Sequence, residues 1–198
     1  MSQALGIFIG RPVGVFRWPF FALFILLMGL SLSMVPVVGY PVLKKHDEVL
    51  ATGYLIFRGA LECFTYLGMI TCMFLMLALS REAAVAGTLD STSLQSMAVV
   101  FNEGSDWIAR LTQIIFPIGA VMFYAILYRF KLIPRWLTIW GFIGLALHVL
   151  EVFLTMFGLL PDNLVFVFAV TLALQEMVMA VWFIAKGFNP DAVASEAA

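Results

Sequence analysis

Charged residues are scarce in this sequence. Only 12% of its 198 residues are Asp, Glu, Lys or Arg, whereas 63% are hydrophobic and the mean hydropathy is +1.04. A water-soluble domain has about a quarter of its residues charged and about half apolar. The composition excludes a soluble protein and predicts an all-α polytopic transmembrane helix bundle in a lipid bilayer. The net charge of -1 and the lack of a basic stripe exclude nucleic acid as a partner.

Cysteine and the common cofactor motifs are equally sparse. The two cysteines, Cys63 and Cys72, lie nine residues apart in one apolar run. On a helix they would be separated by a rise of roughly 13 Å, which is too far for a disulfide. The sequence contains no CxxCH, no Gly-rich phosphate loop and no GxSxG motif. No cofactor is therefore predicted, apart from the single metal ion considered below.

About five apolar runs are long enough to cross a membrane. The boundaries follow from the polar residues between them. We predict an N-terminal interfacial segment at 1–17, a transmembrane bundle at 18–188 with spans at 18–43, 51–79, 107–128, 136–160 and 164–185, and a disordered tail at 189–198. Residues 81–106 are predicted to form an extramembrane loop with one short amphipathic helix.

The distribution of Lys and Arg predicts the orientation. Short connections rich in these residues face the cytoplasm. Arg129, Lys131 and Arg135 mark the connection between the third and fourth spans as cytoplasmic. Lys186 then places the C-terminus on the same side. Lys44 and Lys45 place the connection between the first and second spans there as well. Arg11 and Arg17 near the N-terminus argue against this arrangement.

Polar residues inside the spans predict a buried cluster. Gly141, Gly144, His148, Glu151, Thr155 and Gly158 recur at alternating spacings of three and four, so they share one helix face. Glu62, His148 and Glu176 each lie roughly 16 to 20 Å from an interface, near the middle of the hydrocarbon core. Ionisable residues at that depth face the bundle interior and often mark a site. The predicted polar cluster comprises Arg58, Glu62, His148, Glu151, Gln175 and Glu176.

Simpler interpretations stand beside a functional one. Small residues on these faces allow close helix packing, and Arg58 with Glu62, four residues apart, can form a neutral pair within one helix. His148, Glu151, Glu62 and Glu176 offer one nitrogen and three carboxylates, a ligand set that suits zinc, iron or manganese. A histidine hydrogen-bonded to Glu151 is the alternative that needs no metal.

Three segments resemble a known family. These are YLIFRGALECFTYLG in the second span, LIPRWLTIWGFIGLAL in the fourth and LALQEMVMAVWFIAKGF in the fifth. They are similar to the bacterial domain-of-unknown-function family numbered four-three-eight-six, small multispan membrane proteins without a known activity. The resemblance implies a bacterial inner-membrane location. It covers Arg58, Glu62, Pro134, Arg135, Trp136, Gln175, Glu176, Trp182, Lys186 and Gly187, whereas His148 and Glu151 do not clearly belong to the pattern.

Function is predicted only in outline. The preferred interpretation is a non-enzymatic helical bundle whose buried polar cluster binds a small or lipidic ligand or a membrane partner protein. A small proton-coupled transporter using Glu62, His148 and Glu176 is the first alternative. An intramembrane metalloenzyme using His148 and Glu151, with Glu62 and Glu176, is the second. Five spans are few for a carrier, and a homo-oligomer would enlarge it, but no span shows a distinct oligomer interface.

Overall fold

The computed structural model describes residues 14–86 and 91–194, which are almost entirely helical. A helix satisfies every main-chain polar group within the segment, so apolar runs of this length fold as helices in lipid. The elements are α1 (Gly14–His46), α2 (Glu48–Tyr54), a π-helix (Leu55–Leu61), α3 (Glu62–Ala86), α4 (Ser91–Arg129), α5 (Arg135–Met156), α6 (Asp162–Ala185) and α7 (Pro190–Ala194). These helices confirm the predicted all-α bundle.

Five helical segments of the described chain are long and apolar enough to span a membrane. They are Phe20–His46, Glu48–Glu82, Ser93–Arg129, Arg135–Met156 and Leu164–Ala185. Large apolar side chains lie on their outer surfaces, including Phe166 at 73% exposure and Ile184 at 88%. Apolar surface on this scale suits a lipid environment rather than water. The chain is a multi-pass membrane protein.

Several boundaries differ from the sequence predictions. Residues 91–106, predicted as part of a loop with one short amphipathic helix, are helical as part of α4, which continues without a break into the third span. The fourth span ends at Met156 rather than at residue 160, because Gly158 adopts a positive φ of 67° that no longer continues the helix. Residues 190–194 of the predicted disordered tail form α7. The predicted interfacial segment at 1–17 lies largely outside the described residues.

The chain divides into two compact units. The first combines the part of α1 up to Leu32 with Glu62–Thr112. Small residues allow its helices to approach closely: a Cβ added to Gly29 would lie 3.1 Å from Cβ of Tyr66, and one added to Gly68 would lie 3.3 Å from Ile108. The hydroxyls of Thr65 and Thr112 join α3 and α4 at 2.7 Å.

The second unit combines Ser33–Leu61 with Gln113–Ala198 and contains the larger core. Its fully buried side chains gather near the ends of α1, α4 and α5, and include Leu43, Ile126, Leu127, Leu132 and Leu137. Asp47 caps α2 by accepting a hydrogen bond from the main-chain N–H of Leu50 at 3.0 Å. This unit also holds most of the polar residues predicted to form a site.

Candidate functional site

Arg58 lies in the middle of the π-helix Leu55–Leu61, between α2 and α3. A π-helical turn is wider than an α-helical one and occurs often at functional sites. Gly119 of α4 allows the close approach at this point, because a Cβ there would lie 3.2 Å from the main-chain nitrogen of Arg58. The main chain around Arg58 is therefore pressed against α4, and its side chain extends towards α6.

Arg58 forms an ion pair with Glu176 of α6. The Nη2 and Oε1 atoms are 3.3 Å apart, and they belong to residues separated by 118 positions in the sequence. The guanidinium also lies over the ring of Phe116, 4.3 Å from its centroid, in a cation–π contact. The Arg58 side chain is 11% exposed, whereas that of Glu176 is 36% exposed. The pair therefore opens outwards on the side of the carboxylate.

A second ionisable pair also contacts Phe116. The ring of His148 meets that of Phe116 edge-on, with centroids 5.6 Å apart. His148 Nδ1 is 3.6 Å from Glu151 Oε2, and the other carboxylate oxygen of Glu151 accepts a hydrogen bond from Thr155 at 3.2 Å. Glu151 is 4% exposed. Phe116 thus contacts one member of each of two ionisable pairs within one unit.

Gln175, next to Glu176, is fully buried and its amide is well satisfied. Its Oε1 accepts a hydrogen bond from the hydroxyl of Tyr124 at 2.9 Å, and its Nε2 donates to the main-chain oxygen of Leu137 at 3.2 Å. These bonds join α4, α5 and α6. Because both ends of the amide have partners, Gln175 acts in packing, and Glu176, with a side chain that is 36% exposed, is the more accessible of the two polar groups.

Gly141 makes room for this amide network. A Cβ added at Gly141 would lie 2.9 Å from both Gln175 Nε2 and Tyr124 Cε2. One turn further along α5, a Cβ at Gly144 would lie 3.1 Å from the Cα of Leu172. Gly141 and Gly144, which share one face of α5, therefore allow α5 to pack closely against α4 and α6.

Glu62 belongs to the first unit, at the start of α3. It is 2% exposed, and its Oε1 accepts a hydrogen bond from the hydroxyl of Tyr66 at 3.2 Å. Its main-chain oxygen accepts a further bond from Thr65. Of the six predicted cluster residues, the second unit brings together Arg58 with Glu176 and His148 with Glu151, and it places Gln175 in a separate network.

The predicted metal ligands form no complete set within residues 14–86 and 91–194. No group of three or more His, Cys, Asp or Glu in this part of the chain is arranged to hold a metal ion. Of the four predicted ligands, His148 and Glu151 are adjacent, whereas Glu176 contacts Arg58 and Glu62 lies in the other unit. A metal site at His148 and Glu151 stays a prediction from the sequence.

Sequence reasoning did not single out Phe116, Tyr124 or Gly141 as parts of the site. Phe116 is one apolar residue in an apolar run, and only its contacts with Arg58 and His148 in the folded chain assign it to the site. Tyr124 shares a face with Gln113, Pro117 and Ala120 at helical spacing. Such spacing is typical of an inward-facing residue but gives no sign of its partner. The spacing of three and four residues likewise predicts the helix face on which Gly141 lies, but not its contacts with Gln175 and Tyr124.

Basic residues gather at one end of the second unit. Arg129 lies 3.6 Å from Asp47, and the ring of Phe130 stacks on His46 at 5.0 Å. The main-chain N–H of Asn189 donates to the oxygen of Leu132 at 2.9 Å. The first connection, the connection between α4 and α5 and the C-terminal segment therefore meet at the same end. Six of the eleven Lys and Arg residues lie in these segments or in the helix turns that border them: Lys44, Lys45, Arg129, Lys131, Arg135 and Lys186.

The fold and the polar site define an α-helical multi-pass membrane protein with ionisable residues inside its spans. A family model described as "Domain of unknown function (DUF4386)" matches residues 10–187, and the chain belongs to this family. The family resemblance predicted from the three sequence segments is thereby confirmed. Comparisons with curated proteins and with solved structures returned no match.

Proposed function

We propose that the protein is a non-enzymatic membrane protein that binds a small or lipidic ligand at Glu176. The observation that carries this proposal is the 36% exposure of the Glu176 side chain beside the wholly buried Gln175. A carboxylate inside a span faces a polar cavity, a ligand or another polypeptide rather than lipid. Glu176 has one ionic contact in the described chain, at 3.3 Å from Arg58. A ligand that offers a cationic or hydrogen-bond-donating group complements its remaining oxygen.

An amphiphilic amine tests this site directly. In phosphatidylcholine nanodiscs, dodecylamine should raise the Tm of the full chain by about 5 to 10 °C at a hundredfold excess over Kd. Dodecanol has the same chain without the charge and should raise it far less. Glu176→Gln should abolish the shift, whereas Glu48→Gln, an exposed glutamate in the first turn of α2, should leave it intact. An equal shift in the Glu176→Gln variant would rule out Glu176 as the binding group.

Proton-coupled transport is the second candidate, because the same exposed carboxylate could exchange protons. The neighbouring His148 and Glu151 pair, 3.6 Å apart and largely buried, supplies a further group able to hold a proton. A carrier requires pH-driven uptake into proteoliposomes that Glu176→Gln abolishes while the variant still reconstitutes as a folded protein. A simple binding protein gives the dodecylamine shift without any uptake.

We further propose that the basic end of the second unit faces the cytoplasm of a bacterium, in the inner membrane. Six of the eleven Lys and Arg residues lie in the segments that meet there or in the helix turns that border them, as the positive-inside rule requires. A C-terminal fusion should therefore give fluorescent green fluorescent protein and inactive alkaline phosphatase. Active alkaline phosphatase at this position would reverse the orientation.

A further inference from the structure

A pocket of about 640 Å³ lies at the basic end of the second unit. It is lined by the turn between α4 and α5, by the end of α6 and by the segment that follows α6. The turn depends on Lys131, which adopts a positive φ of 54°, and the chain leaves α6 through Gly187 at 66°. The hydrogen bond from Asn189 to Leu132 holds the two segments together. The shape of the pocket is therefore determined by the main-chain conformation of these two segments.

The lining of the pocket is cationic at its rim and apolar at its base. Lys131, Arg135 and Lys186 are exposed side chains of the lining, and none of the lining residues is acidic. Within the described residues none of the three cations forms an ion pair; Arg135 lies over the ring of Tyr128, and Lys186 over that of Trp182. Leu132 and Ile133 are buried beneath them. A pocket with three cations and no acidic residue in its lining is suited to bind an anion.

The position of the pocket specifies the kind of anion. The spans Arg135–Met156 and Leu164–Ala185 both end at it, so it lies at the depth of the lipid headgroups. Trp182, half-buried in the lining, is a residue type enriched at that depth. Basic pockets between the cytoplasmic ends of spans suit anionic phospholipids. A volume of about 640 Å³ accommodates a headgroup with its glycerol.

We infer that this pocket binds the phosphodiester headgroup of an anionic phospholipid, through Lys131, Arg135 and Lys186. The apolar base then receives the first part of the acyl chains, which free phosphate lacks. This site is separate from the one at Glu176 and does not depend on it. Since the three cations have no ionic partner among the described residues, replacing them leaves no carboxylate unpaired there.

Native mass spectrometry of the full chain titrated with phosphatidylglycerol provides the test. The triple variant Lys131→Gln, Arg135→Gln, Lys186→Gln should bind at least about tenfold more weakly, because it loses the direct charge-assisted contacts of three cations with the phosphodiester. The control variant Lys44→Gln, Lys45→Gln, Arg129→Gln removes the same charge at the same end, but these residues do not line the pocket. It should retain the affinity of the wild type within about threefold.

The outcomes separate the alternatives. Equal binding by the pocket variant and the wild type overturns the inference, and so does an equal loss in the control, which would indicate general charge attraction. Inorganic phosphate that competes at the same concentration as phosphatidylglycerol would assign the pocket to a free anion and overturn the lipid. A second measurement needs no charge substitution: brominated phosphatidylglycerol should quench the wild-type fluorescence more than that of Trp182→Phe. Equal quenching would contradict binding at this pocket.

Discussion

Gly141→Ala is expected to destabilise the second unit by about 1 to 3 kcal/mol, the usual cost of overpacking a tight core. The added Cβ would lie 2.9 Å from Gln175 Nε2 and from Tyr124 Cε2. Neither group has room to move, because both side chains are fully buried and hydrogen-bonded to each other. Thermal unfolding in detergent should show a Tm lower by about 2 to 10 °C for a chain of this size.

Gly39→Ala is the matched control for this substitution. Gly39 is a helical glycine of the same unit, and the nearest atom to its added Cβ is Leu43 Cδ1 at 3.5 Å, an ordinary contact. Its Tm should stay unchanged or rise slightly, since alanine is the better helix former. A Tm for Gly141→Ala equal to that of Gly39→Ala would mean that the amide network tolerates the methyl group and is packed more loosely than described.

The Gly141 contact illustrates what the sequence could and could not supply. The spacing of Gly141, Gly144 and Glu151 identified the inward face of α5 correctly, because helical periodicity is a local property. The partners of that face belong to other helices, and a single sequence gives no register between helices. The contact of Gly141 with Gln175 could therefore be learned only from the folded chain.

Helix boundaries show the same limit. Residues 97–101 lie within the segment 81–106, which the sequence predicts as an extramembrane loop with one short amphipathic helix. In the structure they belong to α4, which begins at Ser91 and continues to Arg129. Polar residues such as Asn102 and Asp106 can remain in a helix because main-chain hydrogen bonds, rather than hydropathy, determine its continuity. Hydropathy therefore predicted the crossing segments better than the helix ends.

The ion pair was predicted only in part. Arg58 and Glu176 were each identified as ionisable residues inside spans, and one suggested partner for Arg58 was Glu62, four residues away. The contact of Arg58 with Glu176 joins elements 118 residues apart, a relation that periodicity within one helix does not reveal.

A double-mutant cycle on Arg58 and Glu176 should give a coupling free energy of about 1 to 3 kcal/mol. Arg58→Leu leaves the carboxylate of Glu176 without its cation inside a span. The free energy of unfolding of this variant should therefore fall by up to about 5 kcal/mol. Adding Glu176→Leu should recover part of the loss, because the pair is then replaced by apolar side chains. Unfolding of the four proteins in the same detergent measures the coupling.

The Arg129 and Asp47 pair provides the control cycle within the same unit. Its atoms are 3.6 Å apart and the Arg129 side chain is 69% exposed, so its coupling should be below about 1 kcal/mol. A coupling for Arg58 and Glu176 no larger than this would mean that the inner pair contributes little to stability. Comparison of this coupling with the Tm shift caused by dodecylamine then decides the role of Glu176. A strong coupling without a ligand shift would make Glu176 a packing residue, whereas a weak coupling with a ligand shift would show that the carboxylate is kept for binding.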